Sequence, residues 1–552
     1  MSPVDPYAAE KAWLAQDPDP VTRDELSKMI EAAELGVAGA MTALADRFSA
    51  RLEFGTAGLR GELGAGPNRM NRVLVAQAAA GFADFLLDRE NAPSVVVGYD
   101  GRTNSRIFAE DTAELMAGVG VRTILLPRAL PTPVLAFAVR HLDVSAGVMV
   151  TASHNPGTDN GYKVYLGGTD NGSQIVPPAD GAIAARIEAV ATGSITDLPR
   201  AQTFEIAGEE VLDAYVDRTA AGVARPARRP NVVYTPMHGV GWETAHRVFV
   251  EAGFGAPAPV PAQVEPDAAF PTVVFPNPEE PGAMDLAFAL GAQLDAELVI
   301  ANDPDADRLA IGLPGASGWR RLSGNEVGWM LGWRAAAKLT GKSGRLAASI
   351  VSSPALAAVA KEYGLEFVET LTGFKWISRV PGLAFGYEEA LGYLVDPDKV
   401  RDKDGISAAV EFLSLWVELT ESGSSWHDHE LAFAEKFGAF ASSQISHRVD
   451  DLADIPRIMA ELRANQPKAV GSQAVTRIED FLDGVGDFPP SDILRIWFAS
   501  GARVIVRPSG TEPKLKVYID ASSTTGTAAE RIAAAKAIVD ELDVGMRTLV
   551  GA

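Results

Sequence analysis

The sequence predicts an α/β protein with three similar α/β domains and a smaller α+β domain at the C-terminal end. Two observations predict it. Three segments repeat one layout, a β-branched run, a Gly/Pro/polar turn and an Ala- and Leu-rich helical stretch, which favours βα units around largely parallel sheets. At 552 residues the chain also exceeds what one core fills, so several domains of roughly 100 to 200 residues are expected. The irregular spacing of the three segments excludes a short-period solenoid.

Taken in order, the first 50 residues read as mainly helical. The first strand–turn unit is residues 94–100, turning at Gly101-Arg102, and a second apolar run follows at 146–150. The next unit is 231–236, turning through His238-Gly239-Val240-Gly241, with a buried-strand run at 298–301. The third is 346–352, ahead of Pro354. After Ser446 the strand-like runs 502–506 and 515–520 flank a Pro/Ser/Gly turn, and an Ala-rich helix starts at about Ala528. Boundaries near 208, 318 and 445 give expected domains 1–208, 209–318, 319–445 and 446–552.

Composition removes several function classes. No apolar run approaches the roughly 18 residues that span a bilayer, so no membrane segment is expected. Asp5, Glu10 and Lys11 near the start do not form a secretory signal, and the protein reads as cytoplasmic. The absence of cysteine excludes disulfides, thiolate metal sites and cysteine nucleophiles. A net charge of −23, from 49 basic and 72 acidic residues, argues against nucleic acid or an anionic membrane as partner. An anionic substrate would therefore need a locally basic cleft.

Three motifs carry chemistry. Thr151-Ala152-Ser153-His154-Asn155-Pro156 places one serine on a polar turn directly after the apolar run 146–150, where a hydroxyl can carry a phosphoryl group if a cation, a proton carrier and an anion clamp are supplied. Asn302-Asp303-Pro304-Asp305-Ala306-Asp307-Arg308 follows the strand-like run 298–301. Carboxylates at i, i+2 and i+4 of an extended segment would point to one side and call for a hard cation, Mg²⁺ being the natural choice. An EF-hand is excluded, because Arg308 and Pro314 stand where that loop requires Gly and Glu. Arg507-Pro508-Ser509-Gly510-Thr511-Glu512-Pro513 holds a guanidinium, two hydroxyls and a glycine between two strands, the inventory of an anion nest. Alone, the serine and acidic motifs are equally ordinary turns, and the basic turn reads somewhat better as an ordinary hairpin. A further cluster, Trp426-His427-Asp428-His429-Glu430, offers possible zinc ligands but reads as a polar loop, since no partner pair of histidines exists elsewhere among only seven.

Together, and preceded by Phe54-Gly55-Thr56-Ala57-Gly58-Leu59-Arg60-Gly61, these motifs resemble the α-phosphohexomutase superfamily of phosphoglucomutases and phosphomannomutases over nearly the whole chain. The resemblance implies a four-domain, heart-shaped architecture with one loop from each domain in a central cleft. It implies a mutase that moves phosphate between C1 and C6 of glucose or mannose phosphate through a phosphoserine and a sugar 1,6-bisphosphate, which also serves as activator. Ser153 would be the carrier, and Mg²⁺ would be held by Ser153, Asp303, Asp305 and Asp307. Lys163 is the first candidate for acid/base work, with phosphate binding or an ion pair as its other reading; His154 and Arg60 are the remaining catalytic positions. Thr372, Gly373, Lys375, Glu388, Glu389 and Arg308 would meet the sugar. Arg507, Ser509, Gly510, Thr511 and Lys516 would clamp its second phosphate. Trp376 reads equally as a substrate contact and as a core anchor. Ala390 stands where the family usually has serine, and the run from Glu388 to Tyr393 resembles the phosphopentomutase-like branch. A pentose 1- to 5-phosphate transfer is thus the alternative within the class. A sugar-bisphosphate-binding regulator without turnover is the rival from outside it, and intact Ser153, Lys163 and the three aspartates speak against that. The partner implied is a small phosphosugar, and the sequence is silent on oligomeric state.

Overall fold

The computed structural model describes residues 5–449, 451–509 and 514–552. The chain packs as two compact units, one formed by the chain up to Leu322 together with Gly392–Ser414, the other by Ser323–Leu391 and the chain from Leu415 onward.

In the first unit, helices Ala8–Gln16, Pro20–Glu34 and Ala40–Phe48 fill the stretch expected to be helical. A seven-stranded sheet follows. Its parallel centre is Ala146–Val150, Ser94–Tyr99 and Arg122–Leu125, with Glu205–Ile206 parallel at one edge. Antiparallel strands Asp159–Leu166 and Leu59–Glu62 complete the other side, with Ser173–Gln174 paired to Asp159–Leu166. Every residue of Ala146–Val150 is buried because helices cover both faces, which is why it reads as a continuous apolar run without alternation. Helix Arg72–Arg89, capped by the Asn71 side chain, is buried almost all round, since its residues serve both the sheet core and the core beneath the N-terminal helices. A five-stranded sheet holds Val232–Thr235 between two parallel neighbours, Leu298–Ala301 and Ala258–Pro259. Leu298–Ala301 then runs antiparallel to Ala310–Gly315, itself antiparallel to Gly318–Arg321.

The second unit has a parallel set, Glu366–Thr370, Arg345–Ser349 and Leu383–Glu388. It also has an antiparallel six-stranded sheet running from Ala439–Arg448 through Lys514–Ser523, Arg503–Pro508, Leu494–Phe498 and Gln473–Asp480 to Ala469–Val470. Strand Lys514–Ser523 alternates as such a sheet requires. Leu515, Val517 and Ile519 join the core containing Ile458, Leu462, Val539 and Leu542 of helices Asp454–Ala464 and Ala528–Val550. On the other face Tyr518 packs with Ile350, Val351 and Phe481. The C-terminal helix starts at Ala528 because Thr527 and Glu530 form a capping box. Among the described residues no helix is long and apolar enough to cross a membrane.

Candidate active site

Strand Ala146–Val150 delivers the serine loop at its carboxyl end, where α/β sheets place ligand sites. Ser153 takes φ +51°, the left-handed region that non-glycine residues rarely adopt, and is 2% exposed. Its backbone is gripped from both sides. The Ser153 N–H donates to Thr151 Oγ1 (2.9 Å), and that hydroxyl donates to Asp100 Oδ2 (2.6 Å). Arg102 Nη2 donates to the carbonyls of Ser153 (2.5 Å) and Asn155 (2.6 Å), and Nη1 to those of Pro156 (2.7 Å) and Asp159 (3.1 Å). The Ser153 hydroxyl donates to Asp303 Oδ2 at 2.7 Å and lies 3.2 Å from His154 Nδ1. Arg60, on strand Leu59–Glu62, reaches Asn155 Oδ1 at 3.3 Å. This approach requires Gly58, where a Cβ would fall 1.8 Å from the Tyr162 carbonyl.

The acidic loop corrects the expected geometry. Residues 302–308 do not continue the strand as an extended segment; they turn, with Ala306 N–H donating to the Asp303 carbonyl (2.8 Å) and Ala306 at φ +56°. The carboxylates converge because the backbone folds round them, not because of a two-residue alternation. All three are fully buried, with oxygens within 4.8 Å of one another, and among the described residues they are the one group of three or more metal-ligating side chains so gathered. Lys163 Nζ donates to Asp305 Oδ2 (2.8 Å) and Asp307 Oδ2 (2.9 Å), Thr132 Oγ1 to Asp305 Oδ2 (2.6 Å), and Lys403 Nζ lies 3.3 Å from Asp307 Oδ2. Arg308 Nε stands 3.9 Å from both Asp303 and Asp307.

Burial and the neighbouring Asp305 and Asp307 charges hold the Asp303 carboxyl well above the usual carboxylate range. Burial acts in the same sense on Asp305, but its contact with Lys163 overrides this and leaves it below that range. For Lys163 burial disfavours the charge, yet Asp305 and Asp307 outweigh it and raise the ammonium above its ordinary value. Lys163 is therefore a fixed cation here. Asp305 Oδ1 and Asp307 Oδ1 are buried and accept no hydrogen bond. Buried carboxylate oxygens without donors are what a hard cation with oxygen ligands satisfies, so the donor set fits such an ion.

In the second unit, Glu389 follows strand Leu383–Glu388, and its Oε2 accepts from Ser349 Oγ and Ser352 Oγ, both at 3.1 Å. Thr372 and Gly373 lead into the short helix Phe374–Ile377, which carries Lys375 and the half-buried Trp376. Arg507 and Lys516 are directly opposed on strands Arg503–Pro508 and Lys514–Ser523, which places both on one face, and Ser509 N–H donates to the Lys514 carbonyl (2.8 Å). Gly510 and Thr511 lie outside the described residues.

Four family models match the chain in order: phosphoglucomutase/phosphomannomutase α/β/α domain I over residues 51–193, domain II over 213–314, domain III over 323–432 and the C-terminal domain over 445–538. The chain belongs to the phosphoglucomutase/phosphomannomutase family. A Haemophilus influenzae protein named "Probable phosphomannomutase" is 53% identical over 482 residues, 87% of this chain and 98% of that protein. A Mus musculus phosphopentomutase is 35% identical over 570 residues, covering 93% of this chain and 90% of its own. The crystal structure of a phosphoglucomutase/phosphomannomutase family protein from Burkholderia thailandensis shares the fold, with TM-score 0.68 and 20% identity over 91% of this chain and 98% of that one.

Sequence reasoning about this family member missed Asp100, Arg102, Thr132, Asp402 and Lys403. The position of Asp100-Gly101-Arg102 at the carboxyl end of a central strand was the available signal for the first two. The run Arg401-Asp402-Lys403-Asp404 looks like a solvated charge cluster, yet Asp402, Lys403 and Asp404 are buried, with Tyr165 and Gln174 donating to Asp402 (2.8 and 2.6 Å). The set-aside histidine cluster begins a helix, Trp426–Phe437. Ser425 and Asp428 form its capping box, and His429 stacks on Trp333 with ring centroids 4.6 Å apart.

Proposed function

We propose that this family member is a phosphosugar mutase acting between C1 and C6 of a hexose phosphate, glucose or mannose, with Ser153 as the phosphoryl carrier. The observation that carries the reading is the buried Ser153 hydroxyl, on a strained turn, 2.7 Å from a carboxylate of the three-aspartate cluster. A carrier must sit beside the charge that steadies its phosphoryl group, and no cysteine or second metal cluster among the described residues offers a different chemistry. Asp303, Asp305 and Asp307, with the Ser153 oxygen, would hold Mg²⁺, which when bound neutralises charge on the transferring phosphoryl group.

The residues divide the remaining work. As the bond from Ser153 Oγ to phosphorus breaks, a bond forms from phosphorus to the substrate's free hydroxyl oxygen; that hydroxyl's proton leaves to a base, and a proton is delivered to Ser153 Oγ, which returns to the free hydroxyl. Turning the resulting bisphosphate over lets Ser153 take the other phosphate back. We take His154, whose ring stands 3.2 Å from Oγ, as the proton carrier, since an imidazole can both accept and return a proton. Lys163, held charged, keeps Asp305 and Asp307 in place, with Arg60 and Arg308 as further cations of the site. Arg507, Ser509 and Lys516, with Gly510 and Thr511, would hold the non-reacting phosphate. Glu388, Glu389, Thr372, Gly373 and Lys375 would meet the sugar ring. We place the domain limits at 208, 318 and 445. Ala390 and the identity to the mouse phosphopentomutase favour a second reading, transfer between C1 and C5 of a pentose phosphate. A panel of glucose, mannose, glucosamine and ribose 1-phosphates with Mg²⁺ and a trace of sugar bisphosphate tests both: turnover is expected on a hexose, a ribose preference selects the second reading, and no turnover on any removes the enzyme.

A further inference from the structure

We propose that Arg102 is the positioning residue that sets the phosphoryl-carrier loop in its transfer geometry; the inference rests on the mutase reading of Ser153. Arg102 is buried at the turn after strand Ser94–Tyr99, far from Ser153 in sequence. Its guanidinium collects four carbonyl oxygens of the loop, those of Ser153, Asn155, Pro156 and Asp159. The guanidinium stacks over the Phe270 ring at 5.0 Å, and its Nε faces Asp100 Oδ2 at 3.4 Å. Asp100 makes the complementary tie: Oδ1 accepts from Arg102 N–H (3.0 Å) and Ser105 Oγ (2.7 Å), and Oδ2 accepts from Thr151, whose oxygen accepts from Ser153 N–H. The tripeptide Asp100-Gly101-Arg102 thus fixes the N–H of Ser153 through one relay and its C=O through another. Those two anchors bracket the positive φ, and so decide where Oγ points.

The arrangement matters most when Ser153 carries phosphate. Carbonyl oxygens committed to a guanidinium cannot swing toward the phosphoryl oxygens and repel them. Only a planar fork reaches four acceptors; a lysine ammonium keeps the charge but has three donors at a single point. All four side-chain hydrogen bonds of Arg102 are spent on backbone carbonyls of the serine loop, so the loss is expected in phosphoryl transfer and not in substrate binding.

The test is Arg102→Lys in the full-length protein, with Thr151→Val cutting the second relay. Three things are measured: uptake of phosphate by Ser153 from glucose 1,6-bisphosphate by intact mass, kcat and KM on the preferred sugar phosphate, and amide hydrogen exchange across residues 151–159. Arg102→Lys is expected to slow uptake and kcat by about 100-fold with KM within about threefold. Loop exchange should rise by about tenfold while strands Ser94–Tyr99 and Ala146–Val150 stay protected. Thr151→Val should show the same split with a smaller drop, and it carries the test if Arg102→Lys does not fold. Uptake and loop exchange within about threefold of wild type in a folded variant overturn the inference. If the wild type itself takes up no phosphate, the mutase reading falls, and loop exchange alone then decides whether Arg102 positions the loop.

Discussion

At the scale of single residues, the site consists of groups held where they would not otherwise sit. Ser153 at φ +51° carries a Cβ in a region that disfavours it by roughly 1–2 kcal/mol. Ser153→Gly and Ser153→Ala both remove the hydroxyl and are expected to abolish turnover, but the glycine variant should be the more stable by about 1 kcal/mol. Urea melts of the two side by side check this, and equal midpoints would show that the strain is absent. Asp303 is the converse case, a carboxyl pushed upward by burial and by two like neighbours. Asp303→Asn should therefore leave stability nearly unchanged without metal. Saturating Mg²⁺, worth about 2.7 kcal/mol to wild type at a hundred times its dissociation constant, should do little for the variant. A thermal shift in Asp303→Asn as large as in wild type would remove Asp303 from the ligand set. The serine and the aspartates were legible in the sequence because each motif holds its chemistry within seven residues. Arg102 and Lys403 were not, because their partners lie 51 to 57 residues away in the serine loop and across the chain at Asp307.

Elements show what local pattern does and does not determine. The strand runs at 146–150 and 298–301 appear in the structure with the bounds their apolar composition suggests, because both are buried centrally in their sheets. The acidic loop departed from its extended reading because Ala306 adopts the left-handed region, a choice that packing imposes and alanine does not advertise. Helix Trp426–Phe437 shows the reverse: residues resembling zinc ligands are explained by a capping box and an aromatic stack. Burial against that stack depresses the His429 pKa to about 4, below the ordinary histidine value. A histidine with a folded pKa below its unfolded one loses stability as pH falls, because the unfolded chain takes up the proton first. Between pH 7 and pH 5 this amounts to about 2 kcal/mol. His429→Phe keeps the stack and removes the titration, so its unfolding midpoint should fall less than wild type's over that interval. Parallel falls in the two proteins would mean that His429 does not contribute to the acid sensitivity.

For the molecule as a whole, the acid surplus and an anionic substrate pull in opposite directions. A net charge of −23 repels a phosphosugar at long range, whereas in the proposed clamp Arg507 and Lys516, opposed on adjacent strands, would attract it at short range. Salt separates the two, since the screening length shrinks from about 30 Å at 0.01 M to about 8 Å at 0.15 M and removes the distant field first. This balance was legible from composition, while the placement of the two cations on one face needed the strand register. In wild type the losses on both sides offset, and kcat/KM at fixed Mg²⁺ should stay flat or fall modestly as NaCl rises from 10 to 150 mM. In Arg507→Gln/Lys516→Gln the repulsion is less opposed, so kcat/KM should start lower and rise by about twofold or more over the same range. A parallel salt response in the two proteins would show that these cations do not govern substrate approach, and the anion-clamp role would have to move elsewhere in the chain.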